Sequence, residues 1–212
     1  AWYVHALEPV WIRVLPGELM ARAAVNGERI YALTDNRSVT CLTTKGDFLW
    51  SRPVRGKRIA HLLVTDNGMV FVLSREGILT VLSRDGMMVW TMRFGMESAG
   101  SPYRGRDGRT FFLFQNHIVC MTDFGTILWK RSVPLLHFAG MSECGDGTLV
   151  LYNTDGTARL YSPFGTELGT CQFDGTPESI SPLPSGFAAG FPNGSLEFHD
   201  VRNGGSGLRI EK

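Results

Sequence analysis

The side chains best suited to metal, redox or nucleophilic chemistry in this 212-residue chain are five histidines and four cysteines. Their spacing supports none of the three. His5, His61, His117, His137 and His199 contain no pair at metal-ligand spacing. Cys41, Cys120, Cys144 and Cys171 include no Cys-x-x-Cys, which removes a zinc ribbon, a thioredoxin-type motif and a haem attachment site. Cys41 and Cys120 fall within apolar strand patterns and read as small core residues. Cys144 and Cys171 can pair in an oxidising compartment. No Gly-x-Ser-x-Gly elbow, phosphate-binding loop or dinucleotide fingerprint occurs. Glu76, Asp85, Asp107, Asp155 and Asp200 occupy turns, where a carboxylate satisfies backbone donors. The expectation is no catalytic residue, no metal and no cofactor.

Residues suited to recognition are easier to find. Arg52, Arg55, Lys57 and Arg58 share one short connection, and Arg104, Arg106 and Arg109 surround a hairpin. Each cluster is either a solvated turn or a patch for an acidic partner protein. The loop Met92-Arg93-Phe94-Gly95-Met96 is mostly apolar, as is Val133-Pro134-Leu135-Leu136-His137. Exposed, they would form a surface for a partner; packed, they would be the rim of the core. Nucleic acid is not expected as a partner, because the formal net charge is only +1. No apolar run approaches the roughly 20 residues of a membrane span.

The elements that position these residues repeat. Gly46, Gly86, Gly125, Gly165 and Gly204 are spaced by 40, 39, 40 and 39 residues. Gly27, Gly68, Gly108, Gly147 and Gly186 are spaced by 41, 40, 39 and 39. Trp50, Trp90 and Trp129 each follow a glycine of the first series by four residues, and Trp11 precedes them in register. Gly169 and Leu208 take that position in the last two copies. Within one copy, apolar runs at 60–65, 69–74, 78–83 and 87–94 are separated by turn residues, which predicts four antiparallel strands.

The third strand of each copy alternates. Val39 and Cys41, Leu79 and Val81, Ile118 and Cys120, Ala158 and Leu160, and Leu196 and Phe198 flank Thr40, Thr80, Val119, Arg159 and Glu197. This predicts one buried face. Thr43, Ser83, Thr122 and Ser162 precede the turn glycine by three residues and can bond the turn backbone; Asp200 takes that role in the last copy.

A four-stranded unit repeated every 40 residues or so cannot cover its own faces, and radial packing covers them. The expected fold is an all-β propeller of five four-stranded antiparallel blades in a single domain, residues 1–212. The blades fall at about 16–55, 56–95, 96–134, 135–174 and 175–212, with residues 1–15 supplying a strand that closes the ring. A piece of a seven- or eight-bladed propeller is the rival geometry.

The segments VTCLTTKGDFLW, LTVLSRDGMMVW and IVCMTDFGTILW resemble the A-x-D-x-x-T-G-x-x-x-W signature of PQQ-like, tryptophan-docking propeller repeats. The Ser-Pro pairs 101–102 and 181–182 also resemble that family. WD40-like and kelch repeats match less well, lacking recurrent Gly-His, Trp-Asp or Gly-Gly pairs. The resemblance implies one of two branches. Quinoprotein dehydrogenases hold their quinone under a vicinal disulfide, and this chain has no adjacent cysteines. The scaffolding branch, which includes a propeller lipoprotein of the bacterial outer-membrane barrel-assembly machine, has no chemistry of its own and binds protein partners through loops. The resemblance therefore implies a non-enzymatic, monomeric, extracytoplasmic (periplasmic) scaffold. A carbohydrate- or small-ligand-binding propeller, or a glycosidase, are the alternatives.

Overall fold

The computed structural model describes residues 9–133 and 138–201 and the backbone of 208–210. His5, His137, most of the 133–137 loop and Gly204 lie outside the described residues. All regular structure within them is β. Sheet I comprises β1 (Ala24–Asn26), β2 (Arg29–Thr34), β3 (Ser38–Thr43) and β4 (Phe48–Pro53). Sheet II comprises β5 (Ile59–Val64), β6 (Val70–Ser74), β7 (Ile78–Leu82) and β8 (Met88–Arg93). Sheet III holds β9 (Tyr103–Arg104), β10 (Arg109–Phe114), β11 (His117–Thr122) and β12 (Ile127–Ser132). Sheet IV holds β13 (Phe138–Glu143), β14 (Leu149–Asn153), β15 (Thr157–Tyr161) and β16 (Glu167–Gln172). Sheet V holds β17 (Ser179–Leu183), β18 (Gly186–Gly190), β19 (Leu196–Asp200) and β20 (Leu208–Ile210). Each sheet runs in sequence order with antiparallel neighbours, as short connections require. No described helix is long and apolar enough to cross a membrane.

The hairpin between third and fourth strands is the same device four times. Thr43 Oγ1 accepts from the N–H groups of Lys45 and Asp47. Ser83, Thr122 and Ser162 repeat the bond to the residue four positions on. The Gly46 N–H closes the turn on Thr43 O at 2.9 Å, and the register slips by one residue between Cys41 and Leu42. A type I turn followed by a positive-φ glycine and a bulge accounts for the glycine and the hydroxyl together. Gly186 breaks the second glycine series. It lies inside β18 rather than in a turn, where an added Cβ would collide with His199 O. Backbone proximity, not φ, fixes glycine there.

The chain divides into two compact units, 1–95 and 96–212. In the first, β1 lies beside β5. Tyr31, Leu33, Val39 and Trp50 of sheet I form one core with Val70, Val72 and Leu82 of sheet II. In the second, β13 lies beside β17. Phe111, Ile118 and Trp129 of sheet III pack with Leu149, Leu151 and Tyr161 of sheet IV. Cys144, Val150 and Ala158 of sheet IV pack with Phe187 and Ala189 of sheet V.

The expectation of one buried face per third strand needs correction. Thr40, Thr80 and Val119 are 2%, 1% and 0% exposed, so the central strands of sheets I to III are covered on both faces. Thr40 tolerates this because its methyl packs and its hydroxyl meets Ser51 Oγ at 3.2 Å, whereas the buried Thr80 hydroxyl has no hydrogen-bond partner among the described residues. Sheet V departs the other way: Leu196, expected to be buried, is 55% exposed. The described part of the expected closing segment, residues 9–15, carries no strand, and the outer neighbour of β19 is β20.

Candidate partner-binding site

The tryptophans join successive sheets. Trp50 lies against Gly86, and its Nε1–H donates to Arg84 O at 3.1 Å. Trp129 lies against Gly165 and donates to Pro163 O at 2.9 Å. Trp11 repeats the pattern on Gly46 and Thr44 O, from a segment without strand structure. Trp90 is half-buried and meets Phe71 of its own sheet edge-on.

Arg52 belongs to this joint. Its Nε–H donates to Gly86 O at 3.2 Å, and Arg131 does the same to Gly165 O at 2.8 Å. The signal was present as Trp-x-Arg, at Trp11–Arg13, Trp50–Arg52 and Trp129–Arg131. Met92 occupies the corresponding place after Trp90. Met92, Phe94 and Met96 are each half-buried and alternate with exposed Thr91, Arg93 and Gly95.

Arg55, Lys57 and Arg58 are exposed, and two of them line a groove of about 260 Å³ within the first unit. Lys57 and Arg58 come from the connection between sheets I and II, Arg37 from the β2–β3 turn and Arg75 from the β6–β7 turn. Four cationic side chains thus line it against one carboxylate, Asp35. The supports are fixed. The Arg37 N–H donates to Thr34 O at 3.0 Å, and Val54 N–H donates to Arg37 O at 2.8 Å. Asn36 Nδ2 ties the same turn to Pro16 O at 2.7 Å. Arg75 N–H donates to Arg58 O at 2.8 Å. Asp35 Oδ1 accepts the Glu18 N–H at 3.0 Å, which binds its charge to the backbone.

Glu76 takes the Arg58 N–H at 3.1 Å. Burial works to raise its carboxyl, but hydrogen bonds from its own backbone, Ser74 and Arg58 hold it below the usual range. Burial, helped by the neighbouring charge of Arg75, lowers the pKa of His61. Sequence reasoning found Lys57 and Arg58 but missed Arg37 and Arg75. Single arginines at two hairpin tips give no local cluster, and only the fold brings them together.

In the other basic cluster Arg104 and Arg109 are paired within the second unit, while the Arg106 side chain is exposed. Arg104 forms a two-pronged pair with Asp123, whose side chain is 7% exposed. Arg109 pairs with Glu143, the two side chains being 11% and 1% exposed. The Arg106 N–H also donates to Glu143. The Arg104 and Arg109 charges are consumed inside the second unit, since a buried carboxylate must be paired. Cys144 and Cys171 are free thiols. Among the described residues no group of three or more His, Cys, Asp or Glu gathers to hold a metal.

A family profile described as outer membrane protein assembly factor BamB matches residues 2–137. The chain belongs to this BamB-like, PQQ-like repeat family. Two solved structures share the fold. BamB from Moraxella catarrhalis is 18% identical with a TM-score of 0.69, covering 95% of this chain and 63% of its own. The computationally designed protein Ika8 is 14% identical with a TM-score of 0.71, covering 91% of this chain and 60% of its own. This chain therefore spans about three fifths of the length of either structure. No curated protein matches it. The repeated sheets are those of a BamB-like β-propeller, as the tryptophan and glycine series implied.

Proposed function

We propose that this BamB-like propeller is a non-enzymatic scaffold acting outside the cytoplasm in outer-membrane assembly. It docks an acidic segment of a partner protein in the groove of Arg37, Lys57, Arg58 and Arg75. The groove carries the reading. Cations from two hairpin turns and one sheet-to-sheet connection converge on it, and only one of the lining residues is acidic. Family membership supports a partner-binding role, through the name of the matched family. An acidic peptide titrated against the protein tests it. Reversing Lys57 and Arg75 to Glu should weaken binding at least about tenfold and flatten its salt dependence. Unchanged affinity would remove the groove from the interface.

The five sheets are read as five blades of one propeller acting as a monomer. Small-angle scattering tests closure at five against a piece of a larger ring, because a ring closed at five returns a compact toroid.

A further inference from the structure

Arg37 holds a backbone conformation that other sheets give to glycine. Its φ is +62°, in the left-handed region. Its N–H closes the β2–β3 turn on Thr34 O at 3.0 Å. In sheets II, IV and V the residue closing the corresponding turn is Gly77, Gly156 or Gly194, with φ of +72°, +81° and +83°. Their N–H groups reach Ser74 O at 3.0 Å, Asn153 O at 3.1 Å and Phe191 O at 3.0 Å. An L side chain in that region costs a factor of roughly five to thirty in the folding equilibrium. Sheet II carries its own groove arginine, Arg75, two positions ahead of Gly77, where φ is negative.

The surroundings hold the strained turn in place. Asn36 Oδ1 accepts from Thr34 Oγ1 at 2.7 Å and from Ser38 Oγ at 2.6 Å, while Asn36 Nδ2 donates to Pro16 O at 2.7 Å. The Arg37 carbonyl takes the Val54 N–H at 2.8 Å. None of these bonds uses the Arg37 side chain, so each would persist with glycine there. What the arginine adds is its guanidinium, which lines the groove with Lys57, Arg58 and Arg75. Backbone strain that the surroundings over-determine points to a position kept for function. Charge supplies a second argument. Four cations around about 260 Å³ repel one another, and the lining carboxylate, Asp35, already accepts the Glu18 N–H. Glu76 approaches Arg58 only to 4.0 Å. An incoming anion relieves the repulsion. A planar guanidinium matches a carboxylate with two parallel N–H···O bonds, which the Lys57 ammonium cannot do.

We propose that Arg37 is the residue by which the groove selects its partner. Its guanidinium grips one aspartate or glutamate side chain of the docked segment in a two-pronged pair. Lys57, Arg58 and Arg75 attract the segment's remaining charge. The inference rests on the partner-binding reading of the groove and assigns its specificity to one side chain, placed there at the expense of the turn.

The test titrates a capped pentapeptide, acetyl-Asp-Glu-Asp-Glu-Asp-amide, into the whole chain by calorimetry, with urea unfolding of every variant alongside. Arg37→Gly should weaken binding at least about tenfold. Its urea midpoint should stay at or above the native value, because the strain is gone. Arg37→Lys keeps charge and strain but loses the fork, and should weaken binding about threefold or more. Lys45→Ala removes the same charge from the exposed β3–β4 turn, at the other end of sheet I, and should leave affinity within about twofold. Native affinity in Arg37→Gly overturns the proposal. So does native affinity in Arg37→Lys, which would make the residue a point charge. A lower midpoint for Arg37→Gly also overturns it, since the side chain would then serve the turn. The Lys57 and Arg75 reversal separates the two readings. If it abolishes binding while Arg37→Gly does not, the groove stands and only the role of Arg37 is lost. If the native chain does not take the peptide, groove and selecting residue fall together.

Discussion

Replacing Gly86 by Ala probes the joint between sheets I and II in two separable ways. The added Cβ would stand 2.7 Å from Trp50 Cδ2, closer than real Cβ contacts come, so the ring must move. The backbone φ of +78° also disfavours any L side chain. Overpacking costs roughly 1–3 kcal/mol, and the left-handed conformation about 1–2 kcal/mol. With Trp50 in place the substitution should therefore cost roughly 2–5 kcal/mol. In a Trp50→Ala background the clash is gone and only the backbone part remains, about 1–2 kcal/mol. Trp50→Ala alone should cost about 3–5 kcal/mol, so the cycle is best measured with TMAO present, which deepens the folded well without touching the contact. Urea titration followed by far-ultraviolet circular dichroism gives the four free energies. The two substitutions should be less than additive by about 1–3 kcal/mol. Additivity within about 0.5 kcal/mol would refute the packing of the ring on the glycine. The Gly165 and Trp129 pair, at 2.6 Å, is an independent repeat of the experiment.

Glu143→Ala should destabilise the second unit by about 3–5 kcal/mol, because it strands the Arg109 charge in the interior; a thermal melt would show it, and a loss below about 1 kcal/mol would mean the pair is solvated. Arg131→Ala should cost only about 1 kcal/mol, the net value of one hydrogen bond to a carbonyl, read from the urea midpoint. The thiols set an alkaline limit. Burial pushes Cys120 and Cys144 up to about 12 and Cys171 to about 11, from 9.0. A raised folded value stabilises the fold fully below pH 9 and progressively less above it, as thiols of the unfolded chain ionise first. Urea midpoints should hold through pH 8 and fall above 9, and Cys120→Ala should flatten part of that fall.

The parts of the fold legible in the sequence were those carried by local chemistry. Glycine after a hydroxyl residue specifies a turn and bulge, and tryptophan four residues later specifies the outer strand. The faces were misread where alternation of residue type was taken as alternation of burial. Thr40 and Thr80 are polar by type yet buried, because propeller sheets are covered on both sides. The site was half legible. Lys57 and Arg58 are adjacent in sequence, whereas Arg37 and Arg75 reach the groove only through strand register. Arg52 looked like part of the patch because proximity in sequence hides direction: its guanidinium reaches the backbone of the next sheet. The buried pairs of Arg104 and Arg109 were invisible for the same reason, since their carboxylates lie 19 and 34 residues away.

The tryptophan joints also impose an order on synthesis. Trp11, Trp50 and Trp129 bond carbonyls 33, 34 and 34 residues further along the chain. Sheets I and III are therefore each secured by a turn that leaves the ribosome after them. At about 5–20 residues per second, 34 residues take roughly 2–7 s, during which a finished sheet waits with its indole bare. Assembly is vectorial and short in range, which favours rapid zippering once the next turn emerges. It also makes truncation directional. Chain loss after a given sheet loosens the sheet before the cut, whereas loss ahead of it leaves the downstream joints whole.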